Sequence, residues 1–502
     1  MSQQTLEAPR IHAPTRARPV PGRRGRSVAE RVYQFRWVLG AAALLVVSLF
    51  IVIQAGARPG YDPYGWLVWG KLTLHFNLDT NGAPSWKPLP FLFTVPYALL
   101  GHYALWLWMV TAVAISLSGA IFAWRIAFKL TAADPARRYA AYAAGAVAAA
   151  ALLGITDYSH FILSAQSDTM IVSLCLAAID CQLDGRRRWA FWLWVLAGLG
   201  RPEAWPFLAL YSVWAWRRFP SMRRAIAIGL LLIPLLWFGI PALTANSWFV
   251  AGNNALNSPR ELHQSKIAGT VQRFIALHAA PVWIAALLAG GWAALRRDRF
   301  TLLLTAGVVG WVVIEIAFVL HGWPGVPRYL FEPAGVACVL AGIFIGRVIL
   351  DLPPLVSRLA GGRLQTRLAT QLGGWAAAVL VAVFALALAP AARSRLRVER
   401  ADLKHEQARA AEINRLSTVV RRLGAARILA CGQPNIPIGY QSQLAWYMGV
   451  KIGELYVSPS LERIHPHPLV NIYPVGGGWQ VFPSHVGSAA ARCHGLRLVV
   501  RS

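Results

Sequence analysis

The chain has 502 residues, 56% of them hydrophobic and only 14% charged, and its mean hydropathy is +0.47. Soluble globular chains carry about 25% charge, so this composition excludes an ordinary soluble protein and points to a polytopic α-helical membrane protein. The formal charge of +28, from 49 Lys and Arg against 21 Asp and Glu, would suggest nucleic acid as partner in a soluble chain. Here the arginines fall in short loops between apolar runs, the positive-inside pattern of membrane topology. Nucleic acid is therefore set aside, and anionic membrane lipids become the natural surroundings.

Residues 1–36 are polar and rich in arginine and proline, with too little apolar surface to fold alone; they read as a disordered basic cytoplasmic tail. Trp37–Ala57 is too long for a signal-peptide core and lacks a small-residue cleavage site, so it reads as a retained first helix running outward. That places Gly60-Tyr61-Asp62-Pro63-Tyr64-Gly65-Trp66 and Pro84-Ser85-Trp86-Lys87-Pro88-Leu89-Pro90 on the external face. Residues 88–101 are short and contain Pro90 and Pro96, which predicts a surface-lying helix. His102–Leu130 crosses inward, Tyr139–Ile155 returns to an external cluster holding Asp157 and His160, and Phe161–Leu183 goes back in. Trp189–Gly200 and Trp205–Trp216 are short and basic at their outer flanks, which predicts a hairpin with Arg201-Pro202-Glu203 at its tip. One long helix through Arg201 is the rival, and it would reverse every later crossing. Ala225–Thr244, Phe274–Leu295, Phe300–Leu320, Ala334–Leu350 and Gly373–Ala391 complete about eleven transmembrane helices, flagged by runs near the ~20 residues that a crossing needs.

Residues 392–502 have ordinary composition and form a predicted extracytoplasmic α/β domain. Ile413, Leu416, Val420 and Leu423 fall at helical spacing, Arg427–Gly432 reads as a strand entering a loop, and Leu496–Val500 as a closing strand. Cys431 and Cys493 are the only cysteines of this domain. They are expected to pair in an oxidising compartment; two free buried cysteines are the alternative. His465 and His467 are two residues apart, a spacing too common to define a metal site, and neither a divalent metal nor any other cofactor is expected.

Four separated segments bring ionisable groups to the outer surface: Asp62 with Lys87, Asp157 with His160, Arg201 with Glu203, and His321 with Arg328. Ionisable groups at a membrane boundary are functional candidates; the plainer reading of each is an interfacial residue among aromatic anchors. A carboxylate can deprotonate a hydroxyl as it attacks an activated sugar carbon, and Asp62 is assigned that catalytic role, with a helix-end or salt-bridge function as the alternative. A phosphate leaving group needs no second acid once cations stabilise its charge. Lys87, Arg201 and Arg328, with Tyr329 beside it, are the donor-phosphate candidates, Arg328 through two parallel hydrogen bonds; His321 contacts the phosphate or caps a helix. Tyr61, Asp157, His160 and Glu203 are assigned to acceptor binding or support, Glu203 as the partner of Arg201.

Taken in order, the external Asp62, Ser85-Trp86-Lys87-Pro88-Leu89-Pro90, Leu199-Gly200-Arg201-Pro202-Glu203 and Pro327-Arg328-Tyr329-Leu330 resemble the GT-C superfamily of integral-membrane glycosyltransferases. The resemblance covers roughly residues 37–391 and is nearest to the protein mannosyltransferase, lipid A aminoarabinose transferase and mycobacterial arabinofuranosyltransferase branches. It implies a GT-C-like catalytic domain over 37–391, a polyprenyl-phosphate-linked sugar as donor, and a cell-envelope glycan, lipid or protein as acceptor. It also implies inverting transfer on the outer face of a bacterial plasma membrane, with the catalytic aspartate mapping onto Asp62; the arginine- and alanine-rich composition suits an actinobacterium. The chain departs from the mannosyltransferase pattern, which has an acidic pair in the first loop and a His-Pro-Pro segment. A transporter or flippase of lipid-linked sugars, or a non-enzymatic assembly protein, is the alternative function.

Overall fold

The computed structural model of the protein describes residues 28–82, 84–132, 137–258, 260–262, 265–359, 366–457, 468–476, 478–484, 493 and 498–500. Residues 1–27 and the His465–His467 pair lie outside the described residues. The chain divides into two units, 1–44 and 45–502. The described part of the first, 28–44, is helical throughout. The helix to which it belongs, Val28–Ala55, begins at Val28 rather than Trp37 and so takes in part of the segment expected to be unstructured.

The second unit is mostly helical. Among the described residues six helices are long and apolar enough to cross a membrane: Trp37–Ala55, Gly101–Thr131, Pro220–Thr244, Arg299–Leu320, Pro327–Arg358 and Gln371–Leu423. A seventh results if Lys266–Ala276 and Ala280–Arg296, bent by 103°, count as one span. The expected eleven crossings are thus corrected to six or seven. The physical reason is length. Arg138–Leu153, Ser167–Leu183, Arg187–Gly200 and Trp205–Arg218 have 16, 17, 14 and 14 residues, short of the ~20 that a hydrocarbon core requires. Ser167–Leu183 is buried along almost its whole length, and periodicity reads such a protein-enclosed helix and a membrane span alike.

Two local rules break the helices where the site needs them. Arg201 precedes a proline, which disfavours helical geometry, and its backbone is extended (φ −149°, ψ 130°). Arg187–Gly200 therefore stops there, and Pro202 opens the turn leading into Trp205–Arg218. The two helices fold back as a hairpin: the Tyr211 hydroxyl donates to the Arg187 carbonyl (3.1 Å), and the Arg187 guanidinium lies 4.4 Å from the Phe219 ring. Residues 88–98 form the expected short helix, started by Pro88 at its first position. Small residues permit close packing elsewhere: a methyl group at Gly342 would collide with the Ala144 carbonyl and the Ala148 side chain.

The core beneath the site is aromatic. Trp66, Trp69, Trp86 and Trp108 are fully buried, and the pairs Trp66–Trp108 and Trp69–Trp86 sit at 5.6 and 5.3 Å. The Trp86 indole donates to the Leu236 carbonyl (3.0 Å) and the Trp108 indole to that of Ala165 (3.2 Å), which satisfies the polar ends of these two; the Trp66 and Trp69 indoles have no hydrogen-bond partner among the described residues.

The carboxyl-terminal region is entered by one continuous 58-residue helix, Thr366–Leu423, in place of the separate span and helix read from the sequence. Leu416, Val419, Val420 and Leu423 bury into a small core with the sheet, while Ile413 packs into the core of the helical body. The open sheet runs Gln433–Asn435, Leu469–Val475, Gly478–Pro483, Leu498–Val500, with the first pair parallel and the others antiparallel. Arg427–Gly432, expected as a strand, is instead the end of helix Ala425–Cys431, which Gly432 (φ +146°) closes before the strand begins at Gln433. Cys431 and Cys493 form a disulfide.

Candidate active site

Helix beginnings and the hairpin tip converge at one place. Asp62 lies in the first turn of Tyr61–Leu74, not in a loop, where a carboxylate is favoured by the helix dipole. Lys87 immediately precedes Pro88–Ala98, Arg201 and Glu203 occupy the hairpin tip, and Arg328 and Tyr329 sit in the turn Pro327–Leu330 ahead of helix Phe331–Leu359. Asp168, in the first turn of Ser167–Leu183, and Glu332, in the first turn after that last turn, complete the set. Neither was singled out from sequence. The available signal was an acid in an apolar run, which is costly in a membrane protein unless it has partners.

Asp168 is the hub. Its side chain is completely buried; it binds the Arg201 guanidinium and lies 3.9 Å from both Lys87 Nζ and Arg328 Nε. Arg201 is also buried and faces Glu332 at 3.1 Å and Glu203 at 3.5 Å. Its guanidinium stacks 4.4 Å from the Tyr329 ring and donates to the Arg328 carbonyl at 3.2 Å. Three acidic side chains, Asp168, Glu203 and Glu332, thus surround Arg201, and its geometry is that of an internal tie.

Lys87 and Arg328 are placed differently. Their side chains remain 12% and 20% exposed. Lys87 reaches Ser167 Oγ at 3.3 Å and Arg328 Nη1 faces Asp62 Oδ2 at 3.5 Å; these are loose compared with the 2.7–2.9 Å of a strong charge-assisted bond. Burial pulls the Lys87 ammonium below the ordinary lysine range, while Asp168 pulls it partly back. Asp62 is the carboxylate of the group that solvent can reach, its side chain being 18% exposed against none of Asp168.

The other sequence candidates go elsewhere. Tyr61 hydrogen-bonds Gln441 of the carboxyl-terminal region, and burial together with Asp62 pushes its phenol up. His160 contacts Asp402 at 3.0 Å and Ser159 contacts Glu399, so this segment is tied to the long helix. Asp157 adopts a left-handed backbone (φ 61°) at the start of that turn. His321 is exposed and closes the last turn of Arg299–Leu320 through its backbone N–H to Ala317 (3.1 Å). His160, Asp402 and Glu406 can present ligand atoms within 4.8 Å of one another; the Glu406 carboxylate, however, is gripped by Arg409 at 2.6 and 3.0 Å.

Beside the cluster lies an apolar cavity of about 560 Å³. Cys175, Ile179, Trp194, Phe207 and Trp311 line it, Glu332 stands at the cluster end, and Leu210 and Leu303, 71% and 67% exposed, frame its side.

Broken helices, buried ion pairs at their ends and an apolar groove alongside define a polytopic helical membrane protein with a charged site at the helix ends. No protein-family model matches the sequence, and no curated protein does. Among solved structures, ArnT from Cupriavidus metallidurans bound to undecaprenyl phosphate is similar, with a TM-score of 0.53 at 14% identity over 91% of this chain and 99% of that one. The apo-state structure of the same protein aligns with a TM-score of 0.48 at 14% identity, over 90% and 98%. At this identity the first likeness is one of fold.

Proposed function

We propose that the protein is a membrane glycosyltransferase that moves a sugar from a polyprenyl-phosphate carrier to a hydroxyl group of a cell-envelope acceptor, with inversion at the anomeric carbon. The observation that carries this reading is the reachable Asp62 carboxylate 3.5 Å from Arg328, with Lys87 tied to the same Asp168; an apolar cavity meets the charged cluster at Glu332. The ArnT structure that shares this fold holds undecaprenyl phosphate, and the sequence resemblance to GT-C enzymes points the same way. In this reading the prenyl chain lies in the apolar cavity and the donor phosphate meets Lys87 and Arg328.

Phosphate binding draws Arg328 from its loose contact with Asp62. The freed carboxylate takes the proton of the acceptor hydroxyl, whose oxygen attacks the anomeric carbon from the face opposite the phosphate. The bond from that carbon to the phosphate oxygen breaks, its electron pair stays on the phosphate, and the two cations stabilise the charge that develops there. Asp168 is fully buried and already shared among three cations, so it holds Lys87 and Arg328 in place rather than meeting the acceptor. The reading puts this face and the carboxyl-terminal domain outside the plasma membrane, with the amino terminus in the cytoplasm.

Turnover of a radiolabelled polyprenyl-phosphate sugar by the purified protein, with crude envelope as acceptor, is the direct test. Asp62→Asn is expected to retain donor binding and to lose transfer by at least about 100-fold, the typical contribution of general-base catalysis. Full turnover by that variant would remove Asp62 from the mechanism.

A further inference from the structure

The hairpin has a second end. Its helices of 14 residues each are about 21 Å long at 1.5 Å per residue, and at the end away from Arg201 lies a separate cavity of about 480 Å³. Arg186, Arg187, Arg188 and Trp189 form one wall; Phe219 and Ser221 form the other. None of the described residues lining it is acidic. From Gly185 to Arg224 the only acid in the sequence is Glu203, at the far tip, while Arg217, Arg218, Arg223 and Arg224 extend the positive surface. The nearest acid before this stretch, Asp184, is engaged by Arg125 and Lys129 at 3.2 and 2.6 Å.

We propose that this cavity binds the phosphate of an anionic phospholipid. Charge complementarity selects an anion. The surroundings select a lipid: the apolar span Pro220–Thr244 starts at this wall, and Trp189 and Trp216 stand exposed beside it (68% and 42%), as aromatic side chains do at headgroup depth. Arg187 is stacked on Phe219 at 4.4 Å, which holds the plane of the guanidinium and leaves its edge to meet phosphate oxygens. A soluble phosphate offers the same oxygens but has no apolar part to use the tryptophans. The site is independent of the transfer reaction, since it involves none of the residues near Asp62.

The test uses the full-length protein in nanodiscs of equal parts phosphatidylcholine and phosphatidylglycerol, with retained lipids counted by native mass spectrometry. Phosphatidylglycerol is expected to be enriched. The variant Arg186→Gln/Arg187→Gln/Arg188→Gln is expected to lower the enrichment at least about fivefold, the effect of a single arginine near a membrane surface. Arg296→Gln/Arg297→Gln, in a different basic loop, is expected to leave it unchanged. Equal retention of the two lipids by the wild-type protein, or equal losses in both variants, overturns the site. If the triple variant does not yield folded protein, the single change Arg187→Gln is read in its place. Inorganic phosphate is the competing arm: displacement of phosphatidylglycerol by it would refute a lipid occupant in favour of a soluble one.

Discussion

Replacing Arg328 with alanine isolates the contact on which donor recognition rests. Among the described residues its guanidinium makes two long ion pairs, 3.5 Å to Asp62 and 3.9 Å to Asp168, with 20% of the side chain exposed. Partly exposed pairs of this kind contribute roughly 0–1 kcal/mol each. A phosphate held by two charge-assisted hydrogen bonds at roughly 1.5–3 kcal/mol each more than replaces them. The difference is about 1–6 kcal/mol, so affinity for polyprenyl phosphate should fall at least about fivefold in Arg328→Ala. Equilibrium binding of polyprenyl phosphate measures it directly, and neutral polyprenol serves as the control because it fills the apolar cavity without needing the cation. Arg328→Lys should recover part of the loss, since it restores charge but not the planar fork. Unchanged phosphate affinity in Arg328→Ala, or an equal loss for polyprenol, would refute the reasoning.

Lys87 makes a pH-dependent prediction. Burial lowers its pKa, and only the protonated form attracts phosphate, so donor affinity should decline as pH rises through a value below the ~10.4 of an ordinary lysine; Lys87→Arg should move that decline to higher pH, and an unmoved profile in binding titrations counts against the assignment. Asp168→Asn removes the shared partner of three cations and should cost roughly 3–5 kcal/mol of stability, seen as earlier thermal unfolding in detergent; a melting profile identical to wild type would show that Asp168 is no hub. The Cys431–Cys493 disulfide closes a loop with a sequence separation of 62, which corresponds to roughly 4 kcal/mol of chain entropy; reduction should expose the carboxyl-terminal sheet to limited proteolysis, and equal resistance of the reduced protein would argue for a core that holds without it.

Hydropathy and charge were enough to recognise a polytopic membrane protein; the shortness and basic flanks of two apolar runs placed the hairpin tip at Arg201, and the short run with Pro90 and Pro96 placed a short helix. The structure brings Asp62, Lys87, Arg201, Glu203 and Arg328 together, residues separated by up to hundreds of positions, because each stands at the end of a helix. What stayed hidden depends on tertiary partners. Asp168 and Glu332 read as isolated acids until the cations opposite them are seen. Arg201 reads from sequence with one acidic partner, Glu203, and the structure surrounds it with three. The count of crossings failed because apolar periodicity does not distinguish a helix surrounded by protein from one surrounded by lipid. Glu315, buried in the middle of Arg299–Leu320 with neither oxygen hydrogen-bonded, was passed over as part of an apolar run.

The 58-residue helix makes the carboxyl-terminal domain a matter of phase as well as reach. Past its apolar part it grips the rest of the fold at several points: Arg395 donates to the Gly154 carbonyl (2.6 Å), Gln407 to that of Ala55 (2.9 Å), and Arg409 to that of Arg58 (3.1 Å). One residue inserted ahead of these grips would rotate everything beyond it by about 100° and advance it by about 1.5 Å, turning all of them off their mates at once. Four inserted residues would nearly restore the angle while sliding the sheet some 6 Å along the axis. The sheet is thus geared to the helical body in angle as well as in height.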